Sequence, residues 1–305
     1  MGRRFYDFNT YLRSLYGCRV QKITIDANLT CPNRDGTKGT GGCIYCNQRG
    51  SGTGLGTKLS VYEQIIRAKG YLKKRYKAKK FLAYFQSYSN TYAPFEKLKD
   101  LYNQAIMVED VIGLCIGTRP DCVEGRILDY LKGLSNNYLI WMEYGLQSAH
   151  DKTLKLINRG HSVKEFKDTV KRTRARGLNV CVHVILGLPG EDLDDMLYTA
   201  RFLSNMDIQG IKIHLLYVVK DTILHKWYTQ GKYKPMTREE YVDTVSKFIS
   251  YLNPSMVVQR ITGDPHRDEL VAPMWALEKQ KNVNYILRYM EEKDLFQGKF
   301  YKGER

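Results

Sequence analysis

The sequence predicts an α/β fold in which a parallel β-sheet is covered by helices, and three observations predict it. Six short runs, the first Val20–Asp26 and the last Ile211–Tyr217, are almost continuous in apolar residues, as strands buried on both faces are. Segments with apolar residues at helical spacing separate them. Polar residues then recur at or just past the ends of the runs: Asp26, Gln86, Gly117-Thr-Arg, Glu143, His183 and His214. Parallel α/β proteins bind their ligands at the carboxyl ends of the strands. An open doubly wound sheet and a partial barrel satisfy these observations equally.

In order, a basic, aromatic lead-in precedes the strand V-Q-K-I-T-I-D, which feeds a long polar loop. Ser60–Tyr76 has Val61, Ile65, Ile66, Leu72 and Tyr76 near helical spacing, with Ser60 as its N-cap. Strands are predicted at Phe81–Gln86, Val111–Gly117, Tyr138–Gly145 and Val180–Gly187. Helices fall between them at Phe95–Met107, Val123–Leu134, Asp151–Asn158 and Ser162–Arg176, and Leu193–Met206 leads to the sixth strand. Beyond Tyr217 the pattern loosens to a helix at Thr237–Leu252, a seventh strand at Met256–Ile261 and a helix at Trp275–Lys293. No internal repeat or linker interrupts the chain, so residues 1–230 are read as the core and 231–305 as an extension packed on it.

Composition bounds the function. Of 305 residues, 43% are hydrophobic, enough for a large core. No apolar run approaches the ~18 residues of a membrane span, and the N-terminus lacks a secretory h-region, so a cytoplasmic protein without membrane partners is expected. Seven cysteines, an odd number, argue against a disulfide framework. The net charge of +16 is uneven: residues 1–80 hold 17 Lys and Arg against 4 Asp and Glu, a surplus of 13. Arg67–Lys80 has eight basic residues in fourteen, no acid and two tyrosines. Lys73, Lys74, Arg75, Lys77, Lys79 and Lys80 are therefore the expected nucleic-acid contacts. A solvated face is the bland alternative.

The loop Thr30–Gly56 carries Cys31, Cys43 and Cys46 as C-x11-C-x2-C in a glycine-rich, nearly aliphatic-free stretch. Structural zinc asks for four closed ligands, and the only local fourth is Cys18, which precedes the strand. Three thiolates suit a [4Fe–4S] cluster with one iron open to a substrate or cofactor.

Three cysteines after the first strand, with Tyr45 before the last, resemble the radical S-adenosylmethionine enzymes. The first gap of eleven departs from their usual three and resembles the Elongator-like branch. F-Q-S-Y-S-N-T-Y-A-P (Phe85–Pro94), G-T-R-P-D (Gly117–Asp121), E-Y-G-L-Q-S (Glu143–Ser148), I-N-R-G-H (Ile157–His161) and G-L-P-G-E (Gly187–Glu191) follow in order. With Q-R-I-T-G-D-P-H-R-D-E-L and A-P-M-W downstream, nearly the whole chain is similar to the YhcC/YtqA-like radical S-adenosylmethionine proteins, the MnmL group. The resemblance implies a partial (β/α)6 TIM-like barrel with a C-terminal α/β extension, and Cys31, Cys43 and Cys46 as cluster ligands. It implies that Tyr45 packs near the adenine, and that Gln86, Ser87, Ser89 and Asn90 lie by the methionine amino group. Gln147 would sit by the ribose, Arg159 by the methionine carboxylate, and Glu143 would face the cofactor. His183 stands where relatives often have an Asp on the ribose.

Other residues are weighed beside this. Gly50-x-Gly52-x-Gly54-x-Gly56 lacks G-K-[ST] and does not follow a strand directly, so it is read as flexibility rather than a phosphate loop. Cys115 and Cys181 read as buried structural thiols. Cys122 could donate a hydrogen atom, and with His183 and His214 it is a candidate for the catalytic step. Arg119 and Asp121 either shape the pocket or form an internal salt bridge. The implied activity is radical chemistry on a tRNA wobble uridine, turning carboxymethylaminomethyl-uridine into aminomethyl-uridine. Its partners would be tRNA, a reductant such as flavodoxin or ferredoxin, and a downstream tRNA methyltransferase. A radical enzyme on another substrate and a non-catalytic metal-stabilised RNA-binding protein are the alternatives.

Overall fold

The computed structural model describes residues 4–47, 50 and 58–303. Nine strands form in chain order: β1 (Val20–Ile25), β2 (Lys80–Phe85), β3 (Val111–Thr118), β4 (Leu139–Gln147), β5 (Asn179–Leu186), β6 (Gly210–Leu215), β7 (Val218–Val219), β8 (Val257–Arg260) and β9 (Leu270–Ala272). Seven of them, in the order β1-β2-β3-β4-β5-β6-β8, pair in parallel throughout, and β7 and β9 make a small antiparallel ribbon. The sheet curls into a partial barrel. Its two edges come within reach of each other, since Lys22 Nζ of β1 donates to Gln259 Oε1 of β8 at 2.7 Å. The segment after residue 230 therefore supplies a strand of the main sheet as well as helices packed on it.

The helices are α1 (Phe8–Tyr16), α2 (Val61–Tyr76), α3 (Phe95–Ile106), α4 (Gly125–Leu134), α5 (Asp151–Leu156), α6 (Val163–Arg174), α7 (Leu193–Ser204), α8 (Ile223–Thr229), α9 (Arg238–Tyr251) and α10 (Lys279–Glu292). Ser60, Ser162 and Thr237 close capping boxes with Glu63, Glu165 and Glu240, so α2, α6 and α9 start where the sequence places their caps. The outer face of the sheet buries Ile23, Ile25, Phe81, Phe85, Ile116, Met142, Val182 and Ile213 with the helices, forming the main core.

The inner face is different. At its base Val20, Leu82, Cys115, Trp141, Cys181 and Val257 meet Leu12 of α1 and its neighbours Tyr6, Phe8 and Tyr11. Phe8 and Tyr11 set their rings edge-on to Trp141, with centroids 5.9 and 5.6 Å away. The lead-in is thus a helix that plugs the bottom of the barrel, capped by Asp7 at its start and by Gly17, at φ +64°, at its end. Leu12 is the buried residue of its inner face, and the half-buried Phe8, Tyr11 and Tyr16 pack around it. The ribbon strands β7 and β9 and helix α8, only two to seven residues long, escape a reading based on periodicity.

Candidate active site

The cysteine loop leaves β1 and docks on the turn between α5 and α6. Arg34 N donates to Cys31 O at 2.8 Å, and Cys46 N to Cys43 O at 2.9 Å, so each end of the ligand set is a tight turn. Asn33 Nδ2 donates to Asn158 O at 2.6 Å, and Asn158 Nδ2 to Gly42 O at 2.8 Å. Ile44 N donates to Ile157 O at 3.1 Å, while Ile44 O accepts from Leu224 N of α8 at 2.8 Å. The turn itself needs left-handed backbone at Asn158 (φ +51°) and Gly160 (φ +73°), which explains Asn and Gly in I-N-R-G-H. Cys43 is buried, and Cys31 and Cys46 are half-buried. Of the glycine series, only Gly50 lies within the described residues.

Burial, reinforced by the neighbouring Cys43 and Cys31, pushes the Cys46 thiol up to about 12. Thiolates that raise one another in this way need a cationic group among them to stay ionised. Among the described residues no three His, Cys, Asp or Glu side chains converge to hold a single ion. A cubane offers its thiolates separate corners, so it does not require them to meet at a point.

Arg159 is buried beside this set. Its Nη1 lies 3.6 Å from Cys43 Sγ, and its Nη2 and Nε donate to Gly145 O of β4 at 2.8 and 3.3 Å. Burial opposes the guanidinium charge, but Cys43 and Tyr45 outweigh it and hold Arg159 charged. Its fork spans a backbone carbonyl and the Cys43 thiol. His161 Nε2 stands 3.1 Å from Arg159 Nε, and burial together with the Arg159 and Arg119 charges pushes this imidazole down to about 3. Arg119 and Asp121 form an internal salt bridge at 2.9 Å, and Arg119 Nη1 donates to Arg159 O at 2.7 Å. That pair braces the turn.

Around the ligand set the residues implied to hold S-adenosylmethionine collect at strand ends. After β2, Ser89 N donates to Thr30 O at 3.2 Å and Asn90 Nδ2 to Gly117 O at 2.8 Å. Among the described residues, Ser87 Oγ, Asn90 Oδ1 and the Tyr45 hydroxyl stay buried with no hydrogen-bond partner. Buried polar atoms without partners are costly, and a polar ligand beside them would relieve that cost. Gln147 closes β4 at φ +77°, a left-handed backbone that a glutamine adopts only when its surroundings force it. Three thiols, unsatisfied polar atoms and a strained strand end fit the cofactor pair.

Deeper in the barrel lies Glu143. This carboxylate is fully buried and both its oxygens are taken. Oε1 accepts from Lys22 Nζ at 2.8 Å, and Oε2 accepts from His183 Nε2 at 2.8 Å and from Lys212 Nζ. Burial alone would raise its pKa, but Lys212 and Lys22 hold it well below the carboxylate range. Glu143 is therefore an internal counter-ion shared by Lys22, Lys212 and His183. His183 is held by the same contact, and burial with the Lys212 charge pushes it down to about 4. The sequence reading passed over Lys22 and Lys212, although a lysine inside an almost continuous apolar strand was the signal. Tyr84 supports both, its ring centroid lying 3.9 Å from Lys212 Nζ and 5.0 Å from Lys22 Nζ.

The remaining candidates separate. His214 faces His183 with ring centroids 5.5 Å apart, and its Nε2 is buried without a partner. Cys122 follows the Arg119–Asp121 pair, and burial and then Asp121 push its thiol up to about 11, so it is a neutral S–H at physiological pH. Cys115 and Cys181 are fully buried at the base of the barrel, as structural thiols. The basic stretch lies elsewhere. Lys73 to Lys77 end α2, and Lys80 opens β2 in register with Val20, the first residue of β1. The cysteine loop follows the last residue of β1, so one strand length, roughly 20 Å, separates the two regions. The basic stretch at the end of α2 does not surround the loop, because α2 carries it back to the strand starts. Lys73 is also partly neutralised by Asp110 at 2.8 Å.

This half-barrel with a three-thiol loop at its strand ends is that of the radical S-adenosylmethionine enzymes, and the chain belongs to that superfamily. Residues 34–203 match the Radical SAM superfamily and residues 208–292 the Radical_SAM C-terminal domain. The chain is 38% identical to protein YtqA of Bacillus subtilis over 98% of its own length and 94% of that protein. It is also 38% identical to YhcC of Escherichia coli, over 93% and 92% of the two chains. A tRNA uridine(34) acetyltransferase of Methanocaldococcus infernus is 31% identical over 60% of this chain and 34% of that protein. The Elp3 structure of the same archaeon superposes with a TM-score of 0.68 at 20% identity, covering 91% of this chain and 64% of that one. These place the chain in a YhcC/YtqA-like group of the Elongator branch. Its cofactors are a [4Fe–4S] cluster and S-adenosylmethionine.

Proposed function

We propose that the protein is a tRNA-modifying enzyme that acts on the side chain of a wobble uridine, converting carboxymethylaminomethyl-uridine to aminomethyl-uridine. The observation that carries this reading is the sequence relationship to a tRNA uridine(34) acetyltransferase of the Elongator branch. The chain spans only about a third of the length of those acetyltransferases, so the reading rests on the shared part alone.

When bound, the cluster and S-adenosylmethionine supply a 5′-deoxyadenosyl radical, which takes hydrogen from an unreactive carbon. Cys31, Cys43 and Cys46 would hold the cluster, and Arg159, beside Cys43, fixes the loop to β4. Gln86, Ser87, Ser89 and Asn90 would take the cofactor's methionine amino group, Gln147 the ribose, and Tyr45 would pack near the adenine. The overall change balances as removal of the carboxymethyl group as glyoxylate, with oxygen from water and two electrons passing to S-adenosylmethionine. The amine nitrogen stays on the uridine. The enzyme works in the cytoplasm with a reductant such as flavodoxin or ferredoxin, and a tRNA methyltransferase completes the side chain.

The test is anaerobic reconstitution followed by incubation with reductant, S-adenosylmethionine and tRNA carrying the carboxymethylaminomethyl group. Formation of 5′-deoxyadenosine and glyoxylate in equal amounts supports the reading. Uptake of zinc in place of iron, with neither product, overturns it.

A further inference from the structure

The seven strands of the barrel carry a single carboxylate, Glu143, while Lys22, Lys212 and Arg260 bring positive charge to its interior. Lys22 and Lys212 share Glu143. Arg260, the last residue of β8 and the register partner of Lys212, has no share in it. Among the described residues Arg260 makes no ion pair and donates no hydrogen bond, although it is half-buried. Other half-buried or buried arginines set the contrast. Arg119 binds Asp121 and a carbonyl, Arg174 binds Asp207 and Leu178 O, and Arg19 rests over the Tyr76 ring. Beside Arg260 lies a second group without a partner, the buried Nε2 of His214. Thr262 Oγ1, two residues past Arg260, is likewise buried and unpartnered.

A half-buried guanidinium with no counter-ion is partly desolvated at a cost to the fold unless something else uses it. Its planar fork presents parallel N–H groups at the spacing of two carboxylate oxygens. A neutral imidazole adds one further donor to the same anion. We propose that Arg260, with His214 beside it, is the subsite that holds the substrate's carboxylate inside the barrel. The proposal rests on the wobble-uridine reading for the identity of the substrate. It assigns to named residues the recognition of the group that distinguishes substrate from product. The enzyme would thereby release its product, which lacks that carboxylate, more readily than it binds its substrate.

The test uses the full chain, with Arg260→Gln and the charge-conserving Arg260→Lys, and has two arms. In the first, thermal unfolding is followed in acetate, in chloride and in inorganic phosphate at equal ionic strength. Acetate is expected to raise the midpoint of the wild type over chloride by about 3 °C at tenfold excess over its dissociation constant. That rise disappears in Arg260→Gln and shrinks in Arg260→Lys. No rise in the wild type, the same rise in Arg260→Gln, or a rise with phosphate alone overturns the proposal. In the second arm, binding is measured to anticodon stem-loops carrying either carboxymethylaminomethyl-uridine or aminomethyl-uridine. The wild type is expected to favour the carboxylate-bearing RNA by about tenfold, and Arg260→Gln to bind both equally. Preference retained in Arg260→Gln overturns the assignment. If acetate binds as expected but neither RNA does, the wobble-uridine reading fails and the carboxylate subsite stands.

Discussion

Arg159 ties a cluster ligand to the barrel: its Nη1 stands 3.6 Å from Cys43 Sγ while its Nη2 donates to Gly145 O of β4 at 2.8 Å. The contact depends on a glycine. A Cβ on Gly145 would lie 2.6 Å from Arg159 Nη2 and 2.7 Å from Gln147 Nε2, so the strand can approach both only without one. Gly145→Ala is therefore expected to displace Arg159 and to lower iron and sulfide per chain after reconstitution, with the fold retained. Full cluster loading in this variant would show that Arg159 plays no part in holding the loop.

Glu143 is the common counter-ion of Lys22, Lys212 and His183. Glu143→Gln leaves two buried ammonium groups without a negative partner, which costs roughly 3–5 kcal/mol for a buried pair that loses one member. Denaturant unfolding should show a loss of that order. A loss under about 1 kcal/mol would mean that water reaches the lysines.

His183 gives the barrel a pH dependence. An unfolded histidine titrates near 6.5, whereas burial and the Lys212 charge hold the folded one at about 4. Between those values the unfolded chain binds a proton that the folded chain refuses, so stability falls as pH falls from 6.5 towards 4. The size is on the order of 3 kcal/mol for this group. His183→Gln keeps a donor for Glu143 but does not titrate, and its stability should decline less across the same range. Parallel declines in the two proteins would remove His183 from the account.

The basic end of α2 is a separate surface from the cofactor site. Lys74→Glu, Arg75→Glu and Lys77→Glu together should weaken tRNA binding at least tenfold near 0.1 M salt and flatten its salt dependence, as lost phosphate contacts do. Cluster content should not change. Unaltered affinity would identify this end of the helix as a solvated face.

The sheet, the helix starts and the place of the cysteine loop after the first strand were legible because each is written locally. Ser60 and Ser162 announce their helices, strand periodicity marks the barrel, and C-x11-C-x2-C is contiguous. The interior of the barrel was not legible. Lys22, Glu143, His183 and Lys212 sit on four strands spread over almost two hundred residues, and only the closure of the sheet makes them neighbours. The lysine and histidine partners of Glu143 were not legible for that reason. The basic stretch failed in the opposite sense. Lys73 to Lys80 follow the cysteines closely in sequence, yet α2 returns them to the strand starts, so nearness along the chain did not become nearness in space. In α1 the half-buried Phe8, Tyr11 and Tyr16 pack around the buried Leu12, which leaves little of the aliphatic periodicity by which a helix is usually recognised.

The measurement that bears most directly on the function is the nucleoside content of tRNA from cells lacking this protein. Wobble-position carboxymethylaminomethyl-uridine should accumulate, with aminomethyl-uridine and its methylated product lost, and the wild-type gene should restore both while Cys43→Ala should not. A wobble-uridine profile identical to that of the parent cells would contradict the assignment to tRNA.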